Sequence, residues 1–246
     1  MKFPVFFTLF FMSLTATWPA TAQTVEIQGF VKTAEGQAIA NVYIEDGEIF
    51  TDPETDEEGY FRFSSRDAFR YIKTLVFDKK GFVPKIVPVD RYKTKLDVVL
   101  EPEKNKDLWE IPTCNFPNSN RYKVVGTYLK LFIPKKMSVK SGVDSDYIYY
   151  SVGFKKGKNE YRLNGGLGNL YGSPYPSDRL RSEVRNFSYR RTSVGIDWRG
   201  TTKEGKYWRY FGAISAFESY HYETESREVA EVFDRILDRV CFRAKK

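Results

Sequence analysis

Through its first hundred residues the chain offers only short β-branched or aromatic runs, broken by Gly, Pro or Asp at intervals of roughly ten residues. The runs are Val25 to Val31, Val42-Tyr43-Ile44, Tyr60-Phe61-Arg62-Phe63, Ile72 to Phe77, Lys85 to Val89 and Leu96 to Leu100. Nothing between them is long enough for a helix to cover a sheet face. Such strands can bury an apolar face only against a second sheet, so residues 23–102 are predicted to form a small all-β sandwich. Aromatic residues make up 17% of the chain. That is enough large side-chain surface to exclude an intrinsically disordered polymer.

The turns between these runs carry a pattern. Ile27-x-Gly29-Phe30-Val31 is followed by Gly36-x-x-Ile39-x-Asn41-Val42, then by Thr55-Asp56-x-x-Gly59-Tyr60-Phe61, Lys80-Gly81-Phe82 and Val99-Leu100-x-Pro102. In this order the five pieces resemble the carboxypeptidase regulatory-like domain, over residues 24–102. The resemblance implies a transthyretin-like β-sandwich, a non-catalytic module that accompanies exported enzymes, receptors and surface proteins. It brings no catalytic residues with it. Gly59 and Gly81 stand where tight turns call for positive φ. The acidic run Asp52, Glu54, Asp56, Glu57 and Glu58 could suit a hard cation. Counted from Asp52, however, the sixth and twelfth positions hold Glu57 and Phe63 rather than Gly and Glu. A solvated turn is expected there, and no metal.

Charge divides the chain. Residues 23–102 carry a net −4 and residues 103–246 a net +10, which with Lys2 make the overall +7. Between the halves runs the polar stretch Glu101-Pro102-Glu103-Lys104-Asn105-Lys106-Asp107. Its composition predicts a linker between two domains.

In residues 103–246 the apolar alternation is longer. Arg121 to Ile133, Tyr147 to Phe154, Tyr161 to Leu163, Phe187 to Trp198 and Tyr207 to Tyr222 are predicted strands. A five-residue loop at Thr201–Gly205 would set Trp198 opposite Trp208, Asp197 opposite Arg209 and Ile196 opposite Tyr210. From Thr224 onward, Val229, Phe233, Ile236, Leu237, Val240 and Cys241 recur at three- and four-residue steps, the apolar stripe of a helix. An antiparallel sheet with a helix across one face follows, an α+β domain. The whole chain is thus a mixed fold, an all-β sandwich followed by a basic α+β domain.

Residues 1–22, MKFPVFFTLFFMSLTATWPATA, place Lys2 before an apolar stretch and close on Ala20-Thr21-Ala22. This is the pattern of a signal peptide, and a mature start near Gln23 is expected. The apolar stretch is about a dozen residues, short of the ~20 that span a bilayer, so no stable membrane anchor is expected. A periplasmic or extracellular protein can keep disulfides, and the two cysteines, Cys114 and Cys241, are expected to pair. Two cysteines and one His make a poor zinc set, and neither thiol stands in a nucleophile signature. The bond would fasten the second domain end to end.

Little else in the chain reads as catalytic. Gly165-Gly166-Leu167-Gly168-Asn169-Leu170-Tyr171-Gly172 misses the spacing of a dinucleotide loop and lacks a following Lys-Ser/Thr. A flexible surface loop running on to Pro176-Ser177-Asp178 is expected instead. His221 has Ser215, Ser219 and Glu223 nearby in sequence but no nucleophile elbow, and a structural or surface role is expected for it. Basic residues interleaved with aromatics remain: Tyr189-Arg190-Arg191, Lys206-Tyr207-Trp208-Arg209-Tyr210, and Arg179, Arg181 and Arg185. Arg190, Arg191, Lys206, Tyr207 and Arg209 are the candidate ligand contacts, for carbohydrate or another anionic polymer. Nucleic acid does not suit the compartment, and no cofactor is expected. The rival is a hydrolase using carboxylates such as Asp197 or Glu223. A third reading is a structural protein whose oppositely charged halves clamp together.

Overall fold

Alternating apolar and polar residues along Thr24–Lys32 make strand β1, the centre of the first sheet. The computed structural model describes residues 24–45, 53–66, 74–89, 94–104, 108–115, 121–144, 147–168, 175–176, 178–213 and 218–242. The elements below are those of these residues; the expected leader lies outside them, as does Asp52. β1 pairs antiparallel with β3 (Tyr60–Arg66) and parallel with β6 (Lys95–Val99). β4 (Thr74–Asp78) lies between β2 (Tyr43–Glu45) and β5 (Lys85–Pro88). Ile27, Val31, Phe61, Leu75, Phe77 and Val98 interlock between the two three-stranded sheets. The Phe61 and Phe77 rings meet edge to face at 5.3 Å. The six strands expected from the sequence are present, with ends shifted by a residue or a few, and together they form a β-sandwich.

Turn chemistry holds the sandwich loops. The Thr55 hydroxyl donates to the Ile39 carbonyl at 2.7 Å and accepts from the Val42 N–H at 2.9 Å. Asn41 between them adopts φ 51°, a conformation that Asn tolerates better than most residues. Gly59 sits at φ 73°, and a Cβ there would come within 2.5 Å of the Val31 carbonyl. Asp56 caps the same turn through the Glu58 and Tyr60 N–H groups.

The second half is built on an antiparallel sheet of seven strands. Its order is β12 (Val184–Arg191), β13 (Gly195–Thr202), β14 (Tyr207–Ala213), β15 (Glu218–Thr224), β11 (Asn159–Gly168), β10 (Tyr147–Lys156) and β9 (Ser138–Asp144). A smaller sheet of β7 (Tyr122–Val125), β8 (Leu129–Pro134) and β16 (Cys241–Phe242) covers one face together with helix α2 (Arg227–Leu237). Leu129, Leu131 and Ile133 pack there against Val152, Leu163, Phe211, Val229 and Phe233. A short helix α1 (Asp178–Glu183) precedes β12. The disulfide is present as expected, Cys114 to Cys241 with Cα atoms 4.9 Å apart. Backbone bonds from Cys114 N–H to Phe242 and from Phe242 N–H to Pro112 stitch the same seam.

Several expectations need correcting. The runs 121–133 and 187–198 each hold two strands. Gly126, at φ 102°, turns the chain between β7 and β8, and the Thr192 hydroxyl accepts the Val194 and Gly195 N–H groups between β12 and β13. The run 207–222 likewise holds β14 and β15. Gly165–Gly168 belong to β11 rather than a loop, because a bare Cα at Gly165 leaves room for the Tyr220 ring. The carboxy-terminal helix stops at Leu237. Asp238 caps it, and Val240 and Cys241 keep their burial beyond the helix, Cys241 in the short strand β16. The β13–β14 register is two residues from the expected one, with Trp198 opposite Tyr210 and Gly200 opposite Trp208. A shift of two preserves faces. Ile196, Trp198, Trp208 and Tyr210 therefore still share a side.

That side does not face water. Val76, with Tyr43 and Ile86, joins Tyr175, Leu180, Trp198, Trp208 and Tyr210 in one apolar cluster spanning the two halves. The Glu101–Lys104 stretch is likewise pinned: Glu103 N–H bonds to the Gly81 carbonyl, and Pro102 bridges to Phe82.

Candidate functional site

Because strand residues alternate, Asp197, Arg199 and Thr201 on β13 and Tyr207 and Arg209 on β14 point to the helix side. Arg209 and Asp197 have side chains with 0% exposure and form a two-pronged pair, Nε to Oδ1 at 2.7 Å and Nη2 to Oδ2 at 2.9 Å. Arg209 Nη1 reaches both the carbonyl and the carboxylate of Asp234, and Nη2 reaches Asp238 at 2.8 Å. Helix α2 supplies Asp234, and its C-cap is Asp238. Arg190 and Arg199 close on Asp197 from the other side, at 2.9 and 3.1 Å. The Arg190 guanidinium lies over the Trp109 ring, 3.5 Å from its centroid. Burial opposes the charge on Arg209, but the Asp197, Asp238 and Asp234 carboxylates outweigh it and raise its pKa. Burial and the Asp234 charge hold the Tyr222 phenol protonated, and its hydroxyl donates to Asp234 at 2.8 Å.

Beside this network a groove of about 470 Å³ opens between α2 and the sheet. Asn186, Ser188, Arg199, Thr201 and Tyr207 line its floor, and Ala230 and Asp234 its helix wall. The volume falls in the range of small-ligand sites.

The five candidate contacts separate. Tyr207 lines the groove, and Arg190 and Arg209 lie on the same side of the sheet. Arg209 has no exposed surface, so it holds the floor rather than a ligand. Lys206 sits at the hairpin loop, its ammonium 2.9 Å from Glu204 and 3.5 Å from Glu223. Arg191 points to the opposite face, into the junction of the halves. Only 12% of its side chain is exposed, and it bonds to Asp78 at 2.5 Å, to Glu103 at 3.0 Å and to the Lys79 and Phe82 carbonyls. Arg181 is buried at the same junction and donates to the Thr74 hydroxyl, and Tyr175 donates to Asp78.

The carboxylates of the hydrolase reading do not meet. Asp197 is buried among three arginines on the helix side, whereas Glu223 projects from β15 to the other face. Ser219, His221 and Glu223 do share a face, since they lie two apart on β15; the ring His221 stacks on is Tyr210, at 6.1 Å. Among the described residues no group of three or more His, Cys, Asp or Glu is placed to hold a metal ion. No described helix is long and apolar enough to cross a membrane. Sequence reasoning missed Arg199, Asp234, Asp238 and the polar residues Asn186, Ser188 and Thr201. They carry no common local signal: Asn186 and Ser188 lie on β12, Arg199 and Thr201 on β13, and Asp234 and Asp238 on α2 and its cap, and only the strand register brings them to one side. The chain matches no known protein family and no curated protein.

Proposed function

We propose that this chain is an exported, non-enzymatic binding or accessory protein of the periplasm or cell surface. In this reading a carboxypeptidase regulatory-like, transthyretin-type sandwich carries a β-rich domain whose groove beside α2 receives a carbohydrate or another anionic polymer. One observation carries the proposal. The groove floor offers a tyrosine ring with hydroxyl and amide groups, held in place by a buried ion network whose own carboxylates are already committed to arginines. Such a surface suits holding a ligand more than protonating one. The disulfide is compatible with export. The turn roles of Thr55, Asn41 and Gly59 support the family resemblance, since those are the motif positions.

The test is an array of glycans and anionic lipids probed with residues 23–246. Saturable glycan binding that weakens in Tyr207→Ala is expected. No saturable binding to any glycan or lipid would overturn the proposal. The clamp reading keeps one specific support, the Arg191 bond to Asp78 across the junction. The two readings are compatible, because the junction and the groove lie on opposite faces of β12 and β13.

A further inference from the structure

We infer that the groove beside α2 selects an uncharged, polyhydroxylated saccharide rather than a polyanion. This rests on the binding proposal above and narrows its ligand. A net +10 over residues 103–246 points to an anionic partner. The groove itself contradicts that expectation. Arg190, Arg199 and Arg209 are matched by Asp197, Asp234 and Asp238, so the three cations and three anions around the floor cancel. One turn along α2, Arg227 is matched by Glu231 at 3.1 Å.

Of the three arginines Arg199 lines the groove, with Arg190 and Arg209 beside or beneath it, and each already lies within hydrogen-bond reach of a carboxylate. An incoming sulfate or carboxylate at the remaining edge of Arg199 would meet Asp197, Asp234 and Asp238 as like charges, or would have to displace Asp197 or Asp238 from its arginine. Displacing Asp197 would leave a fully buried anion short of partners. The cations beside this groove are therefore neutralised where they stand.

Apart from Arg199 and Asp234, each paired, the polar groups the groove presents are uncharged. The Tyr207 ring can stack on the C–H face of a pyranose, while Ser188, Thr201 and Asn186 exchange hydrogen bonds with its hydroxyls. Arg199 and Asp234, though paired, still offer a donor edge and an acceptor edge to a neutral hydroxyl. This mixture of one flat ring, short hydroxyl and amide groups, and balanced charge is the chemistry of a neutral glycan.

The experiment titrates residues 23–246 calorimetrically with neutral oligosaccharides (β-glucan, xylan, mannan and chitin fragments) and with sulfated and uronate-containing ones. Each titration is repeated in about 1 M salt, where the Debye length shrinks to ~3 Å. Binding to a neutral oligosaccharide is expected, nearly unchanged by salt. Tyr207→Ala should weaken it about tenfold, the loss of one stacking contact, and Asn186→Ala should weaken it less. Circular dichroism of both variants shows that the fold is kept. Preference for the charged glycans, lost in high salt, would overturn this inference while leaving the binding proposal standing. Neutral-glycan binding that Tyr207→Ala leaves untouched would overturn the assignment to this groove. An absence of binding to either class would overturn the binding proposal and this inference together.

Discussion

Glu218 should be among the most costly side chains to alter, although it touches neither the groove nor the junction. It opens β15 with 0% exposure, and among the described residues it forms no ion pair. Its charge is met by donors: Oε1 accepts from the Thr127 N–H at 2.9 Å and the Tyr220 hydroxyl at 2.5 Å. Oε2 accepts from the Tyr128 and Leu129 N–H groups at 3.0 and 2.8 Å. One carboxylate thus fastens the β7–β8 turn to the large sheet. Glu218→Gln keeps the shape but turns one acceptor into a donor. The best orientation of the amide keeps Tyr128 and Leu129 and gives its NH2 to the Tyr220 oxygen, which strands the Thr127 N–H. Losing one charge-assisted bond and weakening two others costs about 3 kcal/mol, each such bond contributing about 1.5–3. For a chain of this size that lowers Tm by about 6–12 °C. The assay is thermal unfolding followed by circular dichroism, with Glu223→Gln on the same strand as a control expected to change little. A Glu218→Gln protein melting within 2 °C of the parent, a shift of less than about 1 kcal/mol, would refute the reasoning.

Three further outcomes follow from the same geometry. Replacing both Cys114 and Cys241 by Ser opens a link across 127 residues and should cost about 4–5 kcal/mol, so reductant should lower the Tm of the parent but not of the double variant. Arg191→Met leaves the Asp78 carboxylate, 10% exposed, without its cation and should destabilise by about 3–5 kcal/mol; a double-mutant cycle with Asp78→Asn that shows no coupling would contradict the junction contact. Tyr210 is pushed up to about 12 by burial, above its unfolded value near 10. Its stabilisation is therefore complete below about pH 10 and lost as pH rises towards 12. Tyr210→Phe should flatten the fall in Tm between about pH 10 and 12; a variant whose pH profile of Tm matches the parent's would count against it.

The sandwich was legible because its strands are short and its turns carry their own chemistry: Gly59 and Thr55 mark bends that no helix would need. In the second half, local pattern could not mark where one strand ended. Between Tyr189 and Val194 the apolar residues pass from odd to even positions, a slip that a bulge would also produce, and the Thr192 hydroxyl, folding back on Gly195, makes it a turn. The face of Trp198 and Trp208 was readable because strand periodicity survives a slip of two, whereas the partner of each was not. Arg191 and Arg190 are adjacent and chemically identical, yet one is buried against Asp78 and the other rests on Trp109 at the sheet's far face. Which arginine meets solvent is decided by the packing of the two halves, and composition holds no record of that packing.

β16 gives the molecule an order of assembly. The strands of the sandwich are all complete once residue 99 has been made, so that layer pair can form while the rest of the chain is still being synthesised. The larger sheet's cover must wait for Cys241 and Phe242, which pair with Lys130 and Leu129 more than a hundred positions upstream. Contacts of such sequence separation form slowly. A chain made only as far as residue 240 would thus hold a finished sandwich beside a smaller sheet whose β8 still lacks its partner along Leu129 and Lys130.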